Sequence, residues 1–208
     1  MSKNILVQPA YFASIAQYAA ILQADGISFE IHDHFLKQTY RTRCFIFAAN
    51  GKLLLNVPVN KIKGQKTISA HTEISDAEDW QKLHFRSLQS AYQNSPFFEY
   101  YEHDLAEIYH THFTSLGVLH KACHNFVMEA LQEKANTKNT SDYIVKPNNL
   151  TDLRNWIDAK KDINISFPKY IQMFDDKHGF IPNLSILDLL FMEGPSASIY
   201  LENLELNI

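Results

Sequence analysis

Within its first 25 residues the chain has to make a strand, a sharp corner and a helix, and this sets what the rest can become. The apolar run Ile5-Leu6-Val7 is halted by Gln8-Pro9. Proline fixes φ and carries no backbone N–H, which suits the first turn of a helix. On a helical template Tyr11, Ile15, Tyr18 and Leu22 recur at three- and four-residue steps, giving one apolar face with Gln17 and Gln23 directed away from it. Glycine or serine would make an easier corner. A glutamine there places an amide at the carboxy-terminal edge of the strand, and Tyr11 opens the inward face of the helix.

The next segments keep a two-residue period. Residues 27–32 alternate apolar and polar as a half-buried strand does. After the polar stretch "HDHFLKQTYRTR", the segment "CFIFAANGKLLLNVPV" reads as a hairpin turning at Asn50-Gly51, with a further strand over 67–74. At residue 75 the period changes. Ser75-Asp76-Ala77-Glu78 reads as a capping box opening a helix with the stripe Trp80, Leu83, His84, Ser87, Leu88 and Ala91. Asn94-Ser95-Pro96 restarts the helix, with Phe98, Tyr101, Leu105, Ile108 and Tyr109 inward, and a third helix spans 115–133. "EKANTKNTSDY" lacks apolar periodicity and reads as a linker. Beyond it the pattern predicts a helix over 150–160, an extended stretch near "PKYIQMF", a turn at His178-Gly179 and a last helix through "NLSILDLLFMEGP".

The expected fold class is α/β: a mixed sheet from the N-terminal third, covered by the N-terminal helix and a helical middle, with a small C-terminal helical portion. One domain over 1–208 is expected, sheet-forming over 1–75, helical over 76–135, and returning to the core over 145–208. The 208 residues allow a substantial core.

Charge and cysteine content narrow the classes. Lys and Arg number 19 against 23 Asp and Glu, so net charge gives no reason to expect nucleic acid or anionic lipid as a partner. Cys44 and Cys123 are too few for a disulfide framework, and no stretch approaches membrane-spanning length, which predicts a reduced, cytoplasmic protein without membrane insertion. No Walker loop, GxGxxG, GxSxG or CxxC is present, and no cofactor is expected.

Three constellations could carry chemistry. His84 and Ser87 lie one turn apart on an otherwise apolar stripe, where an imidazole in a cleft serves as a general acid or base, and a buried one is a core residue satisfied by a carbonyl. Lys37, Tyr40, Arg41 and Arg43 follow His32-Asp33-His34; if extended, Arg41 and Arg43 share one side, a fork suited to phosphate or carboxylate, against the alternative of a solvated loop. His120 and His124 have the i, i+4 spacing of a zinc pair with Cys123 beside them, but Lys121 occupies the slot of a catalytic glutamate and Cys123 fits the apolar stripe, so no metal is expected.

Four segments, "QPAYFASIAQYAAILQAD", "KQTYRTRCFIFAANGKLLLNVPV", "WQKLHFRSLQSAYQNSPFFEYY" and "FIPNLSILDLLFMEGP", together resemble the WbqC-like family of bacterial proteins. They stand in the family's order and span nearly the whole chain. Gln8, Pro9, Tyr11 and Phe12 match its opening motif, with Ala13 where proline is common. Trp80 and His84, then Ala91 and Tyr92, match its middle. Thr42 precedes Arg43 where asparagine is usual. Leu184, Ser185, Asp188 and Leu190 match its late motif.

The resemblance implies an association with surface-polysaccharide (O-antigen) biosynthesis, and chemistry of the kind that transfers a sugar, acyl or aminoacyl group. On this reading His84 is a general base, Asp188 the second catalytic residue, one that positions a base and is partnered by a basic or hydroxyl group of the amino-terminal half, with Arg41, Arg43 and His84 the candidates, and Gln8, Tyr11, Lys37, Tyr40, Arg41, Arg43, Ser87 and Tyr92 bind a small phosphate- or carboxylate-bearing substrate. A non-catalytic metabolite-binding protein and a metal-dependent hydrolase are the alternatives.

Overall fold

The computed structural model describes residues 3–60, 66–161, 163–206 and 208. Strand β1 (Asn4–Val7) carries Ile5, Leu6 and Val7, all buried, as a strand covered on both faces requires. It pairs in parallel with β2 (Gly26–Phe29) on one side and with β6 (Thr151–Asp152) on the other, and β5 (Thr137–Asn139) adds beyond β2. The order is β5-β2-β1-β6. The chain thus steps outward from β1 to β2 to β5 and returns to the opposite side of β1. The crevice at the carboxyl ends of β1 and β6 lies where the strand order reverses, the place where open parallel sheets receive ligands.

A separate antiparallel hairpin joins β3 (Arg43–Ala48) to β4 (Gly51–Asn56). Ala48 pairs with Gly51, so Ala49-Asn50 form the loop, and Gly51 takes a φ of +99° that glycine adopts at little cost. The helices α1 (Ile15–Leu22), α2 (Trp80–Tyr92), α3 (Phe98–His110), α4 (Leu116–Ala130), α5 (Asp175–His178), α6 (Ile186–Glu193) and α7 (Ala197–Glu202) complete the chain. The class is α/β, with a helical middle and a small C-terminal helical portion. One contiguous cluster of buried side chains runs from Ile5 to Leu204.

The β1–α1 corner is clamped from the far end of the chain. Phe12 is buried at φ +41°, a left-handed conformation unusual for a bulky side chain, which costs about 1–3 kcal/mol. Ser185 Oγ donates to the Phe12 carbonyl at 2.9 Å, Ile186 N donates to the Ala13 carbonyl, and Ile15 N donates to the Leu184 carbonyl, each at 3.0 Å. The Leu184-Ser185 segment thereby fixes the direction in which α1 leaves the sheet.

Several local expectations change. The parallel sheet and the hairpin are separate, and two of the four parallel strands come from beyond residue 130. The stretch read as a linker contributes β5, an exposed edge strand that needs no apolar alternation. The helix expected over 150–160 is instead β6 followed by a 3-10 turn at Arg154–Ile157. The 67–74 segment makes a 3-10 turn at Ser69–His71 flanked by isolated bridges rather than a strand. Ser75 Oγ accepts from Ala77 N, but α2 begins only at Trp80, and Leu83, on the expected stripe, is 63% exposed. Gln17 is buried, its Nε2 donating to the Gln8 carbonyl at the end of β1, while α1 also packs against α6 and α7.

Candidate functional site

At the carboxyl ends of β1 and β6 opens a crevice of about 640 Å³. Its wall is built around Asp33. The Asp33 Oδ2 accepts from Gln8 Nε2 at 2.9 Å and from Arg41 Nη2 at 2.7 Å. Gln8 is where the corner predicts it, at the end of β1, and its own carbonyl is held by Gln17 Nε2 at 2.8 Å. The Tyr40 N donates to Ile157 O and Thr39 bridges Asp158, so the segment carrying Arg41 lies alongside the chain that follows β6.

Arg41 is 1% exposed, the largest fully buried side chain, and burial lowers its pKa while Asp33 acts in the opposite direction. One contact to Asp33 does not satisfy five N–H groups. Its Nε and Nη1 are buried without a partner among the described residues, and so is Gln8 Oε1 beside it. Unpaired buried polar atoms are rare and costly, and three of them at the wall of one crevice mark a place built for a further group.

The opposite wall carries Arg154, which sequence reasoning missed. Its Nε and Nη2 make a forked pair with Asp152 at 2.9 and 2.7 Å, and its Nη1 donates to the Ile144 carbonyl at 2.6 Å. Arg154 is therefore occupied where Arg41 is not. Lys37, Lys160 and Lys161 stand exposed on the lining, and five cations against Asp33, Asp152 and Asp158 favour an anionic guest. Nothing local could have exposed Asp152 and Arg154. Parallel pairing of Leu6 with Asp152, 146 positions on, brings them in.

The other expected site residues separate into distinct places. Tyr11 points to the core: its hydroxyl lies 2.9 Å from His84 Nδ1 and 2.7 Å from the Tyr109 hydroxyl. His84 is 3% exposed, packed edge-on against Trp80, away from the crevice lining, and desolvation lowers its pKa to about 4 despite a hydrogen bond to the Asn56 carbonyl. Ser87 returns its hydroxyl to the Leu83 carbonyl of its own helix. Tyr40 is buried, its ring edge-on to Phe45. Arg43 diverges from Arg41 because it belongs to β3 while Arg41 lies in the preceding turn; its Nε donates to Asn56 Oδ1 at 3.4 Å.

Asp188 meets a hydroxyl from the amino-terminal half, that of Tyr92, as expected, but none of Arg41, Arg43 and His84. The carboxylate is fully buried and accepts from Tyr92 Oη at 2.6 Å, Tyr170 Oη at 2.5 Å and Gln172 Nε2 at 2.9 Å. Burial raises its pKa against those three donors. Tyr92 also accepts from Phe47 N, so this knot ties α2, the hairpin and α6 together.

The histidine-rich segments disperse. His32 Nε2 bonds the Thr140 carbonyl, His34 pairs with Ile68 in an isolated bridge, and His120 Nε2 donates to the Arg41 carbonyl at 2.6 Å. Among the described residues no group of three or more His, Cys, Asp or Glu is placed to hold a metal ion. Among them, too, no helix is long and apolar enough to cross a membrane.

The sequence is similar to a Mycobacterium tuberculosis (strain ATCC 25618 / H37Rv) protein described as "Uncharacterized protein Rv1507c", 28% identical over 229 residues that cover 97% of this chain and 98% of that protein. No solved structure matches. The pattern of the WbqC-like protein family matches residues 8–165, which include the whole crevice wall from Gln8 to Lys161. The chain belongs to the WbqC-like protein family.

Proposed function

We propose that the protein is a cytoplasmic transferase of surface-polysaccharide or related biosynthesis, and that it seats a phosphate- or carboxylate-bearing substrate in the β1/β6 crevice. The family name is consistent with that setting. The observation that carries the site is the buried Arg41 guanidinium with two N–H-bearing nitrogens unpaired at the crevice wall. Guanidinium is the side chain best matched to an oxyanion, and in a desolvated wall the match is stronger than in water.

In this reading Arg41 anchors the anion and Gln8, through its free Oε1, accepts from a substrate N–H or O–H. Lys37, Lys160 and Lys161 draw the anion in. Asp33 holds both wall residues through Oδ2, which leaves Oδ1 to accept the proton of an attacking amine or hydroxyl as the new bond forms and the leaving phosphate or carboxylate departs toward Arg41. His84, Tyr11 and Asp188 hold the fold behind this wall, and none of the three is on the crevice lining.

The test is direct. Titration calorimetry with a panel of sugar phosphates and nucleotide sugars is expected to find a ligand whose affinity falls at least about tenfold in Arg41→Gln. A ligand of that class bound equally by both proteins overturns the assignment. Turnover that survives His84→Gln and is lost in Asp33→Asn separates the two candidate bases.

A further inference from the structure

The pair His120 and His124 does not enter the crevice. Both line a second cavity, of about 280 Å³, between α1 and α4 over the carboxyl ends of β2 and β5. Gly117, His120, Lys121, His124 and Asn125 recur at three- and four-residue steps, so one stripe of α4 lines it. The approach is close: a Cβ on Gly117 would lie 2.8 Å from the Ala70 carbonyl oxygen, so only glycine lets the 69–71 turn sit on the helix.

The lining has a definite chemistry. Tyr18 and His124 are stacked, their ring planes 18° apart with centroids separated by 6.0 Å, and Phe29 meets His124 edge-on at 5.2 Å. His120 gives its Nε2 proton to the Arg41 carbonyl, and as a neutral imidazole it keeps Nδ1 as an acceptor. Burial lowers the pKa of both histidines to about 4, so neither is a cation at neutral pH. The charges are Lys121 and Lys138, both exposed, and Glu30, whose carboxylate is already taken by His32 N, Thr140 Oγ1 and Ile144 N. An aromatic wall, amides from Asn125 and Asn139, and two ammonium groups with no competing free carboxylate on the lining suit a ring that bears an anion. The volume lies just below the roughly 300 Å³ at which pockets for drug-sized ligands begin, which limits the guest to a compact one.

We propose that this cavity is a second ligand site, which takes a small planar ring carrying an acidic group, the ring against Tyr18, His124 and Phe29 and the acid at Lys121 and Lys138. The site is distinct from the crevice yet shares its wall. Gln17 and His120 line the cavity, and their side chains hold the carbonyls of Gln8 and Arg41, which line the crevice.

An aromatic carboxylate and a nucleotide both offer a ring with an anion, so the full-length protein is titrated with 4-hydroxybenzoate and with uridine 5′-monophosphate by ligand-observed NMR. One of the two is expected to bind with Kd below about 1 mM and to weaken at least about tenfold in the double variant K121E/K138E. Asn125→Trp, at an exposed position on the lining, is expected to exclude the same probe without lowering Tm, which covers the case of a charge variant that folds poorly. Arg41→Gln is expected to leave this affinity within about twofold. Binding of neither probe in that range, or binding untouched by both cavity variants, overturns the second site. Binding lost in Arg41→Gln and retained in the cavity variants overturns it too, while leaving the crevice reading in place.

Discussion

Arg41 Nη2 lies 2.7 Å from Asp33 Oδ2, an ion pair whose cation is buried and whose carboxylate is part-exposed. Breaking such a pair from the exposed side leaves a buried arginine without its counter-ion. Asp33→Asn is expected to cost about 2 kcal/mol in urea denaturation, below the full cost of a buried pair because the asparagine still accepts a hydrogen bond and solvent reaches the site. Asp33→Asn as stable as wild type would mean that Arg41 does not depend on this partner.

Three histidines, His84 and His120 buried and His124 half-buried, are expected to make the protein acid-sensitive. His84, His120 and His124 each have a folded pKa lowered to about 4 from 6.5. A lowered value means that the unfolded chain binds more protons, so the stability these rings support is present above pH 6.5 and drains away as pH falls toward 4. Denaturation across that window is expected to show stability rising with pH, with a slope of up to three protons. His84→Gln should reduce the slope by about one proton at the same neutral-pH fold. An unchanged slope would show that His84 titrates normally.

Asp188 acts in the opposite direction. Its folded pKa is raised from 3.8 by burial, so its protonated form is the one folding favours, and its contribution declines as pH rises through the folded value. Asp188→Asn is expected to remove that decline. Asp188→Leu, which leaves Tyr92, Tyr170 and Gln172 without their acceptor, is expected to cost about 3 kcal/mol or more. A neutral Asp188→Leu would show that the three donors find other partners.

Ser185 is expected to matter to the corner as much as to its own helix. Its hydroxyl donates to the Phe12 carbonyl and accepts from Leu187 N at the start of α6. Ser185→Ala removes both bonds, and should lower stability by about 1–2 kcal/mol, read as a lower midpoint at unchanged m-value. If the corner relaxes as well, the substrate affinity carried by Gln8 falls with it.

The sequence by itself determined the elements whose signal is local. The strand halted at Gln8-Pro9, the hairpin near Asn50-Gly51, and the stripes of α3 and α4 were legible because a buried face repeats with the period of its own backbone. Gln8 and Arg41 were legible as chemistry, since an amide at a strand end and a guanidinium beside apolar segments each need a reason. What only the tertiary structure decided is which of them meet. Tyr11 and Gln8 stand three residues apart and face opposite ways, one to His84 in the core and one to Asp33 at the crevice.

The two short strands escaped the pattern. Thr137–Asn139 is an exposed edge and Thr151–Asp152 only two residues long, and their place in the sheet comes from hydrogen bonds to β2 and β1, which leave no periodicity in the sequence. With β6 came Asp152 and Arg154, and so the second wall of the crevice. Asp188 likewise declared in sequence that a buried carboxylate needed partners, but whether these were arginines or tyrosines was settled by packing, because the cost of burying a charge demands donors without specifying their place in the chain.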